Sequence, residues 1–168
     1  FYCIVQSDLF QLTTYKRRIP MRYSMCFIKP EAMKQRFEIY KMLRAGGLQV
    51  TSYVIKAMPE WALDEFYQDS FGGNEALRKA ILYHMRLQEC NFLSLRANNI
   101  VEILPRVCGL STNPNECEEG TVRARFSNKV PKIINEKTLY WHNAIHRPKN
   151  EAETAKDVGI LERIISSA

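Results

Sequence analysis

His146 closes the stretch Asn143-Ala144-Ile145-His146, which follows a polar loop with Thr112-Asn113-Pro114 and the motif Gly120-Thr121-Val122-Arg123. Neutral imidazole attacks phosphorus without first losing a proton at pH 7, and its phosphoramidate readily gives the group back. Guanidinium forks and hydroxyl groups bind phosphate oxygens. A single histidine is more often structural, but this combination of residue types indicates a phosphate-handling site.

Composition limits the classes of protein that fit. The chain has 168 residues, 46% apolar and 25% charged, which is typical of one globular domain. No apolar run approaches the roughly 18 residues of a membrane helix, so no membrane span is expected. The net charge of +6 fits an anionic ligand or simply a basic surface. Nucleic-acid binding is not indicated, because aromatic residues are not interleaved with the basic ones.

The cysteines indicate a reducing, intracellular compartment. Cys3, Cys26, Cys90, Cys108 and Cys117 are odd in number, widely spaced, and include no C-x-x-C pair or histidine at zinc spacing. The first residue is not Met, which fits a removed transit peptide or an incomplete terminus. The mitochondrial matrix and a cytoplasmic or ciliary location are therefore both kept as expectations.

The first half of the chain predicts a basic arm followed by alternating strands and helices. Residues 1–22, with Lys16-Arg17-Arg18, predict the arm, and residues 23–168 predict the domain. A strand over 23–28 ends at Lys29-Pro30, and helical spacing covers 31–45 before Gly46-Gly47. A second strand is expected over 48–58, because this segment is rich in Val, Ile, Thr and Tyr.

The second half predicts helices from Pro59 through Tyr67 and after Gly72-Gly73, a strand over 90–95, and a helix from Asn99. A long polar loop to about residue 119, a strand near His146 and a helix over 151–165 complete the chain. This order predicts an α+β sandwich of helices on a mostly antiparallel sheet.

With these elements in order, the chain resembles the nucleoside diphosphate kinase family over about residues 23–165. The resemblance rests on several ordered motifs: Ile28-Lys29-Pro30, Leu63-Asp64-Glu65-Phe66-Tyr67, Arg106, Thr112-Asn113-Pro114, Gly120-Thr121-Val122-Arg123 and Asn143-x-x-His146. It implies a ferredoxin-like sandwich with a four-stranded sheet and a kinase that transfers a γ-phosphate through phosphohistidine.

The resemblance also implies a role for each matched residue. His146 would be the nucleophile, and nucleotide binding would fall to Lys29, Tyr67, Arg106, Thr112, Arg123 and Asn143. The arginines and Thr112 would bind the phosphates, Lys29 and Asn143 the ribose hydroxyls, and Tyr67 the phosphates beside the histidine. Lys29 would also counter phosphate charge. Mg²⁺ would arrive with the nucleotide and would contact the protein largely through water molecules. No protein metal site is therefore expected.

Four departures from the family pattern predict reduced activity or altered base binding. The family has Gly-Ser-Asp-Ser after its histidine, whereas this chain has Arg147-Pro148-Lys149-Asn150. The orienting glutamate of the family falls at Asp157, one methylene shorter. Residues 130–137 are additional, and only Phe71, with a shifted alignment, could match the base-stacking phenylalanine.

Two classes of function follow from these matches and departures. The first is an active kinase acting on nucleoside di- and triphosphates, which the resemblance implies to be a homo-oligomer, often a hexamer. The second is a structural subunit of a larger heteromeric assembly, mitochondrial or ciliary, with weak or no activity. The seven matched polar residues favour the first, whereas the basic arm, the additional residues 130–137 and the changed residues after His146 favour the second.

Overall fold

A four-stranded antiparallel sheet carries the fold in the computed structural model, which describes residues 23–167. The strands are β1 (Tyr23–Ile28), β2 (Gln49–Ile55), β3 (Cys90–Arg96), β4 (Lys132–Asn135), β5 (Thr138–Tyr140) and β6 (Ile145–His146). The helices are α1 (Arg36–Ala45), α2 (Glu60–Phe71), α3 (Glu75–Met85), α4 (Ile100–Cys108), α5 (Val122–Phe126) and α6 (Glu151–Ser166), with 3-10 turns at Pro30–Gln35 and Pro114–Glu116. The predicted arm lies outside the described residues.

The main sheet has the order β2-β3-β1-β6, and each neighbouring pair is antiparallel. The predicted α+β class and four-stranded antiparallel sheet are therefore confirmed. Because β1 lies between β3 and β6, its end delivers Lys29 next to the strand that carries His146. Phe27 is paired directly with His146 across this junction.

Alternating side chains of β1 bury both faces of the sheet. Met25 and Phe27 join an apolar cluster with α2, α3 and α6, whereas Cys26 and Ile28 join a second cluster with α1 and α4. Successive residues of a strand point to opposite faces, so a strand covered on both sides is apolar throughout. His146 lies on the face that holds Phe27.

Element boundaries differ from the sequence expectations where proline and glycine act locally. The helix expected over 31–45 begins as a 3-10 turn after Lys29, because Pro30 opens the helix without an N–H to donate. The helix expected to end at Tyr67 continues to Phe71 and stops at Gly72, whose φ of 51° is left-handed. None of the helices within residues 23–167 is long and apolar enough to cross a membrane.

The additional residues form a β-hairpin rather than an open loop. β4 and β5 pair antiparallel, and the Asn135 side chain accepts a hydrogen bond from the Lys137 amide in the turn. The hairpin packs on α3, where Asn74 Nδ2 donates to Thr138 Oγ1 at 2.9 Å. The hairpin is followed directly by Trp141, His142 and Asn143.

Candidate active site

Aromatic side chains hold the His146 imidazole against the sheet. Its ring stacks on Phe27 with centroids 4.6 Å apart and planes at 17°, and Phe66 and Tyr67 lie 5.5 Å and 5.4 Å away. Only 7% of His146 is exposed. Packing on several sides therefore restricts the ring to one orientation, which a catalytic side chain needs.

Asp157 binds one nitrogen of that imidazole. His146 Nε2 lies 2.9 Å from Asp157 Oδ2, and the aspartate is fully buried on α6. A carboxylate can only accept, so Nε2 carries the hydrogen and Nδ1 keeps a lone pair. Nδ1 makes no hydrogen bond within residues 23–167. The family's glutamate position thus still reaches the histidine with a shorter side chain.

The other oxygen of the same carboxylate has no partner. Asp157 Oδ1 is buried without a hydrogen bond among the described residues. Pro148 stands where the family has a serine, and proline has no hydroxyl to donate. The serine hydroxyl expected at position 148 is therefore lost, whereas the carboxylate at position 157 is retained.

Lys29, directly after β1, and Asn143, two residues before β6, form a second polar pair. Lys29 Nζ donates to Asn143 Oδ1 at 2.7 Å, and Asn143 Nδ2 donates to the Thr112 carbonyl at 3.2 Å. Burial lowers the pKa of Lys29 from 10.5 to about 8, a change that nearby Glu31 opposes and Arg123 reinforces. The ammonium group also lies 5.5 Å from the Tyr67 ring centroid. This pair links the loop that bears Thr112 to the strand end.

Arg123 is committed to the protein backbone. It makes four hydrogen bonds, to the carbonyls of Gly109 and Ser111 through Nη1 and to that of Ile145 through Nε and Nη2. Guanidinium has five N–H groups, so one remains on Nη2. Burial, and then the charge of Arg147, lower the pKa of Arg123. Its geometry is that of a cross-link between the loop and β6.

Arg147 reinforces the same cross-link. Its Nε donates to the Gly109 carbonyl at 3.1 Å and its Nη2 to the Leu110 carbonyl at 3.0 Å. Gly109 has a φ of 103°, and a side chain there would lie 2.7 Å from Cys117 Sγ. The arginine that replaces the family's glycine therefore holds a tightly turned loop. Sequence reasoning recorded this residue as a lost support and missed the contact, which no local pattern encodes.

Arg106 and Thr112 are exposed, and their side chains make no hydrogen bond with other described residues. Arg106 lies in the last turn of α4, three residues before Gly109. Tyr67 contacts His146 with its ring, while its hydroxyl is directed at Met85 Sδ, 3.8 Å away. The structure thus brings Lys29, Tyr67, Asn143 and His146 together, fixes Arg123 beside them, and leaves Arg106 and Thr112 free at the surface.

Phe71 lies at the end of α2, with its ring 6.3 Å from that of Tyr67. His84 and His142 contact each other with ring centroids 4.1 Å apart. Glu31 joins them, with Oε2 2.9 Å from His84 Nε2. This second polar cluster was not anticipated, because its members come from three separate elements.

A buried histidine bonded to a carboxylate thus lies at the edge of a four-stranded antiparallel sheet. The family model described as nucleoside diphosphate kinase matches residues 22–162. The chain therefore belongs to the nucleoside diphosphate kinase family. A nucleoside diphosphate kinase of Borreliella burgdorferi is 22% identical over 145 residues, covering 83% of this chain and 86% of that protein.

Solved structures of the family share the fold. A transition-state mimic of the Borrelia burgdorferi kinase with bound vanadate and ADP matches with a TM-score of 0.70 at 22% identity, over 82% of this chain and 84% of that one. The apo kinase of Encephalitozoon cuniculi matches at 0.67 and 19% identity, over 83% and 88% of the two chains. The Aquifex aeolicus kinase matches at 0.66 and 16% identity, over 83% and 94%. At these identities the structures establish the ferredoxin-like fold alone.

Proposed function

We propose that this protein moves the γ-phosphoryl group of a nucleoside triphosphate to a nucleoside diphosphate through a phosphohistidine at His146. One observation carries the proposal: Asp157 occupies Nε2, while Nδ1 has no hydrogen-bond partner among residues 23–167. Family membership supports nucleotides as the substrates. The nucleophile is then Nδ1.

The chemistry is a pair of mirrored displacements. The Nδ1 lone pair forms a bond to the γ-phosphorus, and the bond from that phosphorus to the β–γ bridging oxygen breaks. The nucleoside diphosphate leaves with the electron pair, and Nε2 keeps its proton. Asp157 balances the positive charge that the ring gains. A terminal β-phosphate oxygen of the second diphosphate then attacks, and the nitrogen–phosphorus bond breaks.

The matched polar residues would bind and orient the nucleotide. Arg106 and Thr112 have unused donors at the surface for phosphate oxygens, and Lys29, with a pKa of about 8, is largely protonated at neutral pH. Asn143 and Lys29 would donate to the ribose hydroxyls once the hydrogen bond between Lys29 Nζ and Asn143 Oδ1 is broken. Arg123 would contribute its charge and its remaining N–H.

Mg²⁺ would enter with the nucleotide and neutralise charge on its phosphate oxygens. Lys29, Arg123 and Arg147 are cationic and do not bind a metal ion, and Asp157, the one carboxylate that contacts the imidazole within residues 23–167, is fully buried. Phosphate oxygens and water would therefore hold the ion.

The direct test uses purified protein, γ-labelled ATP and Mg²⁺, with acid-labile and alkali-stable label as the readout. We expect label on the wild type and none on His146→Ala, which retains His84 and His142 as internal controls for other histidines. Transfer of the label to an added nucleoside diphosphate would complete the cycle. Wild-type protein that binds ATP but acquires no label would rule out the phosphohistidine route.

A second candidate is a structural subunit with this fold and little activity. The hydrogen bonds from Arg123 to the backbone favour it. Four of the N–H groups that would bind phosphate already donate to backbone carbonyls. Size-exclusion chromatography distinguishes the two. An active kinase is expected to elute as a homo-oligomer, whereas a subunit would be recovered with different chains.

A further inference from the structure

We infer that Glu31, His84 and His142 form a binding site for one transition-metal ion, with Zn²⁺ as the best fit. One ligand atom from each residue lies within 4.8 Å of the other two. The site is separate from His146 and goes beyond the proposed phosphotransfer. It stands on the geometry of the three side chains and on the atoms around them that lack partners.

Three elements supply the ligands. Glu31 comes from the 3-10 turn after Lys29, His84 from the last turn of α3, and His142 from the segment that follows β5. Two ligands bound to one tetrahedral zinc lie about 3.4 Å apart, given metal–ligand distances near 2.1 Å. The observed spread is therefore closed by small side-chain rotations of half-buried residues.

Unsatisfied polar atoms point to a missing partner at this place. Glu31 Oε1 is buried without a hydrogen bond in the described part of the chain, although Oε2 contacts His84. The buried hydroxyl of Tyr140 also lacks a hydrogen bond within residues 23–167, and the Tyr140 ring centroid lies 4.8 Å from that of His142. Buried polar atoms are rarely left unsatisfied, and a metal ion with its bound water would satisfy such groups.

The ligand types select the metal. Two imidazoles and one carboxylate, with a fourth position for water, are a zinc ligand set, whereas Mg²⁺ prefers six oxygen ligands. The nucleotide's Mg²⁺ would therefore not compete for this site.

A metal here would tie the additional hairpin to the nucleotide site. His142 immediately precedes Asn143, and Glu31 lies two residues after Lys29, so the ion would join both backbones that carry the 2.7 Å Lys29–Asn143 pair. His84 would add α3, on which the hairpin already packs.

The experiment is a zinc titration of EDTA-treated, dialysed full-length protein, monitored by competition with a chromophoric chelator. We expect one Zn²⁺ per chain, at least 10-fold weaker binding in His84→Ala, His142→Ala and Glu31→Gln, and unchanged binding in His146→Ala. Zinc should raise the melting temperature of the wild type by about 5 to 11 °C at 100-fold excess over Kd, and that of His142→Ala far less. Millimolar Mg²⁺ should not displace it.

Co²⁺ absorption distinguishes these ligands from the cysteines, because thiolate ligands add charge-transfer bands that imidazole and carboxylate lack. Equal zinc affinity in the wild type and His142→Ala, or thiolate bands removed by Cys117→Ser, would overturn the inference. If a variant does not fold by circular dichroism, absence of stoichiometric zinc on the wild type decides against the site. None of these readouts needs kinase activity, so failure here leaves the phosphohistidine proposal unaffected.

Discussion

Two buried clusters of ionisable side chains lie side by side in this protein. They differ in the groups that compensate the buried side chains. At His146 and Asp157, a ring nitrogen and a carboxylate form one hydrogen bond, 2.9 Å long, inside an aromatic surround. At Arg123 and Arg147, two cations share the carbonyl of Gly109, and neither contacts a carboxylate among the described residues. The first cluster leaves one nitrogen free, whereas the second uses most of its donors.

The difference separates residues that orient a reactive atom from residues that hold a loop in place. A buried cation needs compensation, and here backbone carbonyl dipoles supply it in place of an opposite charge. The arginines consequently keep residues 109–111 beside β6, where Thr112 meets Asn143. Changes in the first cluster should therefore alter reactivity, and changes in the second should alter stability.

The largest expected effect is that of Asp157→Asn on phosphohistidine formation. The amide can donate to Nε2, which would leave the hydrogen on Nδ1 and block the nucleophile. We expect labelling to slow about 100-fold, equivalent to about 2.7 kcal/mol. Asp69→Asn, at an exposed carboxylate, is the control and should label like the wild type. Similar labelling rates in both variants would contradict the role of Asp157.

Arg147→Met tests the second cluster through stability. The carbonyls of Gly109 and Leu110 would lose buried donors, and we expect the free energy of unfolding to fall by about 2 kcal/mol. Arg44→Met, at an exposed arginine of α1, is the matched control and should change it little. Denaturant unfolding measures both. A more stable Arg147→Met would mean that repulsion from Arg123 outweighs the hydrogen bonds.

The smallest effect concerns Lys29, which belongs to neither cluster and has a depressed pKa. Because the folded protein holds this proton less tightly than the unfolded chain, charged Lys29 costs stability below about pH 8. That cost disappears as the pH rises from about 8 to 10.5. Lys29→Met should therefore stabilise the protein at pH 7, by about 1 kcal/mol after the lost Asn143 hydrogen bond is subtracted.

The same variant should lose that advantage at high pH, where only the missing hydrogen bond remains. Thermal melts between pH 6.5 and 10 measure the trend, with Lys41→Met at an exposed lysine as the comparison. A constant difference across this pH range would show that the buried charge is not its source.

Local signals in the sequence predicted most of the fold. The apolar strand over 23–28, the helical spacing of 151–165 and the glycine pairs placed the elements within a few residues of their observed ends. The resemblance also pointed to Asp157, because this residue falls at the position of the family's orienting glutamate. The hairpin at residues 130–140 was not predicted, since its turn depends on a single asparagine side chain.

The sequence by itself determined the order of the elements, the family of the chain and the histidine at its centre, because periodicity and spaced motifs are properties of the chain alone. The tertiary structure decided which polar residues have unused donors. Arg106 and Arg123 read alike in the sequence, yet one is exposed and the other makes four hydrogen bonds to the backbone. The tertiary structure also brought Glu31, His84 and His142 together. Such contacts depend on which distant backbones approach within hydrogen-bonding distance, and local sequence does not specify that.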